Sequence, residues 1–257
     1  MADSAVPAPA ATILMVRDGK AGLEVFMVVR HHQIDFASGA LVFPGGKVDD
    51  GDERVRERCA GADGDDTMMS LQVAAIREAF EECGILLARP NGEDAIIGSE
   101  QLARLEPYRD ALNKGDVGIG EFLQTEDLVL ACDLLQPFAH WITPEMMPKR
   151  FDTRFYIAAA PSDHLAVHDG HESVDSVWIS PDDALKGAKS GKYTVIFPTL
   201  LNIQMLGESR SVDDAMKTAA ERDIVTVLPW TEQRNDGNYL CIPPDAGYGT
   251  WEQRMTR

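Results

Sequence analysis

Residues 74–87 read AAIREAFEECGILL, with three glutamates crowded into the five positions from Glu78 to Glu82 and a glycine closing the run. The pattern predicts a helix over about Ser70–Cys83, with Ser70 or Thr67 as its cap. Gly84 suits the left-handed position just past the end. At about 100° per residue, Val73, Ile76, Phe80 and Cys83 fall on one side, while Glu78 and Glu82, four apart, share the other. Glu81 flanks them and Arg77 lies just beyond. Like charges at this spacing destabilise a helix by roughly 0.2–0.5 kcal/mol per pair. Arg77 offsets one such pair. The remaining carboxylates present what a hard divalent cation takes, several oxygens converging from a rigid element. A merely solvated acidic face gives the same pattern, so the surrounding sequence has to separate the two.

The chain has 257 residues, 24 basic and 42 acidic, for a formal net charge of −18. That length supports a sizeable core. The charge repels nucleic acid and anionic membrane surfaces at long range, which argues against both as partners. Cys59, Cys83, Cys132 and Cys241 form no C-x-x-C pair, which argues against a zinc site or a redox pair and for a reduced, cytoplasmic setting. The start MADSAVPAPAA lacks the basic and apolar regions of a signal peptide, the end MTR matches no retention or peroxisomal address, and no apolar run reaches membrane-spanning length.

The expected organisation is a flexible tail over 1–11 and one domain over 12–257, with insertions at about 53–69 and 92–135. Apolar runs predict strands at 12–17 and 23–30, joined as a hairpin, and a short one in GALVFP. RFDTRFYIAAA and SVDSVWIS add two more. The region 99–130 reads as helical, PDDALKGAKSG as a helix opened by Pro181, and 199–207 and 211–222 as two further helices. Short strands with Pro and Gly turns fill 224–248. Together these elements predict an α/β fold.

Upstream of the acidic helix lies FPGGKVDDGD, residues 43–52, whose Gly45 and Gly46 allow backbone to approach a ligand closely. Loop and helix together resemble the signature of the Nudix hydrolase family. Gly46 fits its first glycine, and Arg77, Glu78, Ala79, Glu81, Glu82, Gly84 and Ile85 fit its second block. Two features depart from the pattern. Asp52, followed by Glu53, stands where the family has glutamate, and 24 residues rather than the usual seven separate Asp52 from Arg77. Phe43–Asp52 is also similar to the Phe-Pro-Gly-Gly-x-x-Asp-x-x-Asp pattern of the family's coenzyme A diphosphatases, and the enlarged box resembles their peroxisomal branch. A further motif that normally precedes this loop is matched only loosely by VVRHHQIDFASGALVFPGG.

The resemblance implies a Nudix fold, an α/β/α sandwich with a mixed sheet and helical insertions. It also implies hydrolysis of a diphosphate linkage with Mg2+ or Mn2+ on Glu78, Glu82 and Glu81. Arg77 would be held by Asp52 or Glu53. The general base would come from the helix or from a loop, where Glu172 is the candidate, flanked by His168 and His171. Gly45 and Gly46 with Arg30, Arg150 and Arg154 are the candidate substrate contacts, since arginine binds phosphate in a bidentate manner. Trp141, Phe36 and Tyr248 are candidates for stacking on a base. The expected partner is a small-molecule diphosphate, with a homodimer left open. Coenzyme A or an acyl derivative leads. Nucleotide sugars or dinucleotides such as ADP-ribose and NADH are the first alternative. A non-catalytic ligand-binding domain is the second, which the presence of all three helix glutamates disfavours.

Overall fold

The computed structural model describes residues 5–30, 39–62, 64–164 and 173–255. The first hairpin is formed by β1 (Ala8–Gly19) and β2 (Gly22–Arg30), followed by the short β3 (Leu41–Val42) and β4 (Gly45–Lys47). Strand β5 (Cys59–Ala60) precedes helix α1 (Asp66–Cys83), then come β6 (Ala88–Pro90), α2 (Ser99–Asn113), α3 (Ile119–Thr125) and β7 (Leu128–Ala131). Strands β8 (Gln136–Ile142), β9 (Phe151–Ala159) and β10 (Ser173–Ile179) lead to α4 (Pro181–Ser190), α5 (Phe197–Leu206) and α6 (Val212–Glu221). The chain finishes with β11 (Thr226–Val227), β12 (Trp230–Arg234), β13 (Gly237–Cys241) and β14 (Glu252–Arg254).

The main sheet runs β10-β2-β1-β9-β8-β11, with β3 beside β2 and β4 beside β1. It is mixed, because β1 pairs with β9 and β11 with β8 in parallel while the other pairings are antiparallel. Alternation along β1 divides the core in two. Ala11, Ile13 and Met15 pack with α1, α2, α3 and β7, whereas Leu14 and Val16 pack with α4, α5 and α6. The expected α/β/α sandwich follows from that division.

Helix α1 starts earlier than the sequence suggests. Asp65, not Ser70 or Thr67, caps it, its carboxylate accepting from the Met68 amide at 3.0 Å. Gly84 ends it at φ +67°, donating to Phe80 O at 2.9 Å. The insertion after Asp52 is built from two 3-10 turns and β5, which joins the small sheet β5-β7-β6. Phe122 of α3 stacks on Phe80 of α1 at 5.6 Å between centroids, so the second insertion covers the helix. Residues 8–11, expected in the tail, are part of β1 and pair with β4 and β9. Strand β8 has no counterpart among the sequence expectations. The four cysteines are free, and Cys59 and Cys132 are brought into side-chain hydrogen-bonding contact between β5 and the turn after β7. Among the described residues no helix is long and apolar enough to cross a membrane.

Candidate active site

The site is made where β4 and the turn after it meet the polar side of α1. Arg77 is its hub, and its side chain is 4% exposed. Nε and Nη2 each donate to one oxygen of Asp52 at 3.0 Å, and Nη2 also donates to Lys47 O at 2.8 Å. Nη1 donates to Glu78 Oε1 at 3.0 Å and to Glu81 Oε1 at 3.3 Å, with Asp49 Oδ2 at 3.6 Å. Burial works against its charge, but the hydrogen bonds it donates to Asp52 and the charges of Glu78, Asp52 and Glu81 outweigh it and hold the guanidinium above its ordinary value.

Asp52 is fully buried and is itself fixed, accepting from the Asp49 amide at 2.8 Å while its own amide donates to Asp49 O at 3.0 Å. The box position is therefore filled by Asp52 and not by Glu53, which is exposed and lies 3.7 Å from Arg54. The 24 residues between Asp52 and Arg77 leave this contact intact because the chain loops out to β5 only after the turn at Asp52–Arg54.

The glutamates are far less solvated than an acidic helix face suggests. Glu81 and Glu82 are buried, and Glu78 is mostly so. Burial pushes the Glu81 carboxyl up to about 7, against the pull of Arg77. The Gly45 amide donates to Glu82 Oε2 at 3.1 Å. A Cβ on Gly46 would sit 2.2 Å from Glu78 Oε1, and one on Gly45 only 2.4 Å from Ala11 O. The two glycines thus let strand backbone and carboxylates meet without a side chain between them.

The oxygen donors of Glu78, Glu81 and Glu82 suit a hard divalent cation. The cradle over Gly46 and the excess of buried carboxylate over the single guanidinium fit one as well. Among the described residues, no group of three or more His, Cys, Asp or Glu side chains is already gathered into a cation cage. Arg77 draws Glu78 and Glu81 toward itself instead.

The other candidates divide. Arg150 is committed to backbone, donating to Thr143 O at 3.0 Å and Ala5 O at 2.8 Å, so it ties the N-terminal segment to β9 and offers no ready phosphate contact. Trp141 and Tyr248 are not stacking platforms. They pack against each other at 5.5 Å on the opposite side of the sheet, Trp141 Nε1 donating to the Tyr248 hydroxyl and that hydroxyl to Asn202, each at 2.8 Å. Arg154 is on β9, partly exposed. Glu172, His168, His171 and Phe36 lie outside the described residues, as does the side chain of Arg30.

A carboxylate-rich helix, pinned by a buried arginine to a Gly-Gly strand on a mixed α/β/α sheet, defines the class as a Nudix hydrolase. The family model for the NUDT19 Nudix domain matches residues 56–206, and the chain belongs to that family. It is 22% identical over 270 residues to the acyl-coenzyme A diphosphatase NUDT19 of Xenopus laevis, covering 88% of this chain and 71% of the frog protein. It is 27% identical over 199 residues to the protein of the same name from Gallus gallus, covering 70% of this chain and 52% of the chicken one. The crystal structure of a Nudix hydrolase from Alicyclobacillus acidocaldarius is 28% identical, with a TM-score of 0.68 over 82% of this chain and 96% of the bacterial one. Nudix hydrolases generally use divalent metal ions.

Proposed function

We propose that the protein is a metal-dependent diphosphatase of coenzyme A or an acyl-coenzyme A, yielding 3′,5′-ADP and a phosphopantetheine. The observation that carries this reading is the match to the NUDT19 Nudix domain, together with the coenzyme A-like loop Phe43–Asp52 packed on α1. Relatives named acyl-coenzyme A diphosphatase support it further.

Glu78, Glu81 and Glu82 would hold Mg2+ or Mn2+. A divalent cation there neutralises the diphosphate and makes water a better nucleophile. The chain's own contribution is positional. Asp52 fixes Arg77, Arg77 orients Glu78 and Glu81, and the Gly45 amide orients Glu82. Arg77 is wholly occupied in this way, so it is structural and does not bind substrate. Glu172 stands as the loop candidate for general base, with the helix carboxylates as the other source. The protein is proposed to act in the cytoplasm.

The test is product analysis by chromatography after incubation with Mg2+ or Mn2+ and, separately, coenzyme A, acetyl-coenzyme A, dephospho-coenzyme A, ADP-ribose and NADH. Coenzyme A or its acyl form is expected to be cleaved fastest. ADP-ribose or NADH as the better substrate would replace this reading with the dinucleotide one.

A further inference from the structure

The register of the sheet lines up five residues in a row across it: Gly46 of β4, Ala11 of β1, Arg154 of β9, His140 of β8 and Thr226 of β11. Side chains alternate between the faces of a strand. Ala11, Tyr156 and Ala158 pack in the layer of α1, whereas Phe155, Ile157 and Trp141 pack in the opposite layer. Arg154 and Asp152 share the parity of Tyr156, and His140 is opposite Arg154. All three therefore face the layer of the carboxylate helix.

His140 is buried and saturated. Nε2 lies 2.5 Å from Asp152 Oδ1, and Nδ1 lies 2.7 Å from Thr226 Oγ1. Burial pulls the imidazole below its ordinary value in spite of Asp152. The neutral ring then donates from Nε2 to Asp152 and accepts from the Thr226 hydroxyl at Nδ1. Asp152 is two residues from Arg154 on the same face, a rise of about 6.8 Å, within reach of an arginine. Its side chain is 44% exposed, yet it bonds to His140 and makes no ion pair with Arg154. Among the described residues the side chain of Arg154 makes no hydrogen bond or ion pair.

We propose that Arg154 binds a phosphate group of the substrate, and that His140 is a positioning residue that keeps Asp152 from neutralising it. With strands about 4.8 Å apart, the Arg154 Cα is roughly 10 Å from Gly46, a gap that an arginine side chain and a phosphate bridge together. The fork of the guanidinium fits phosphate oxygens in pairs. The inference deepens the diphosphatase reading and rests on it. The phosphate is either part of the scissile diphosphate or a phosphomonoester elsewhere on the same substrate.

The experiment uses the full chain with its divalent cation. It compares wild type, Arg154→Met, Arg154→Lys, His140→Ala, Asp152→Asn and the double variant His140→Ala with Asp152→Asn. KM and kcat are measured on coenzyme A and dephospho-coenzyme A, and binding of 3′,5′-ADP is measured by calorimetry, with thermal unfolding to check folding. Arg154→Met is expected to raise KM and weaken 3′,5′-ADP about 10–100-fold, the worth of a charged hydrogen bond. Arg154→Lys should recover part of that loss. His140→Ala should raise KM in the same direction, Asp152→Asn alone should not, and the double variant should return toward wild type, because a neutral side chain cannot capture Arg154. Equal losses on both substrates assign Arg154 to the scissile diphosphate, and a loss confined to coenzyme A assigns it to the 3′-phosphate. Unchanged KM and binding in folded Arg154→Met would overturn the assignment, and an unrescued double variant would overturn the role of His140. Neither result touches the helix glutamates. A wild type without turnover would sink the diphosphatase reading and leave the calorimetry to decide on Arg154.

Discussion

Asp52→Asn removes one negative charge from a pair whose members are 0% and 4% exposed at the side chain. Losing one partner of a buried ion pair costs about 3–5 kcal/mol. The lower end applies here, because Arg77 keeps Glu78 at 3.0 Å and Glu81 at 3.3 Å. An asparagine can still accept the Asp49 amide with its oxygen, but its NH2 then faces the guanidinium donor to donor. For a chain of this size roughly 3 kcal/mol corresponds to a fall in Tm of about 6–12 °C. Arg77 then follows the two glutamates and leaves the position that Asp52 dictates, and a displacement near 1 Å can cost about 100-fold in turnover. Differential scanning calorimetry and steady-state kinetics measure both effects. The expectation is a lower kcat with little change in KM, and no effect from the neighbouring Glu53→Gln. A Tm within 2 °C of wild type with kcat unchanged would show that Asp52 does not anchor Arg77.

Gly46→Ala should fold, since only the end of the Glu78 side chain has to move, but the carboxylate must leave its place over β4. At least a tenfold loss of turnover and weaker Mn2+ binding by calorimetry are expected, and unchanged Mn2+ affinity would contradict the cradle. In metal-free protein the Glu81 carboxyl sits at about 7, above its unfolded value. Its stabilising contribution is therefore present at acid pH and is lost as pH rises through about 7, amounting to about 3 kcal/mol by linkage. The Tm of chelator-treated protein should fall between about pH 5 and pH 8, and Glu81→Gln should flatten that slope.

The arrangement of α1 and its loop was legible because their constraints are local. The spacing of Arg77, Glu78, Glu81 and Glu82 fixes one helix face, and Gly45 and Gly46 mark a close backbone approach. The burial of those glutamates was not legible, because it comes from β4 and the Asp52-anchored Arg77 closing over that face, which no periodicity within α1 reveals. The start of α1 is not legible because Asp65 outcompetes Thr67 and Ser70 as a cap in a segment with several good capping residues. Strand β8 is not legible because Phe138–Ile142 is a short apolar run around a single histidine, with no clean alternation. With it went His140, whose partners Asp152 and Thr226 are brought to it only by the pairing of β8 with β9 and β11. A lone histidine in an apolar run was the one available signal. Trp141 and Tyr248 misled for a related reason, since an aromatic carries no sequence mark of which sheet face it takes.

The central claim is that α1 supplies the carboxylates for metal-dependent cleavage of coenzyme A, and the rate of 3′,5′-ADP formation from coenzyme A tests it most directly. Wild type should turn over with Mg2+ or Mn2+ and stop with excess chelator. Glu82→Gln should keep the wild-type fold while retaining less than about a tenth of the rate, since loss of a general base alone costs about 10²–10⁴-fold. Chelator-insensitive turnover, or a Glu82→Gln protein above that tenth, would contradict the account.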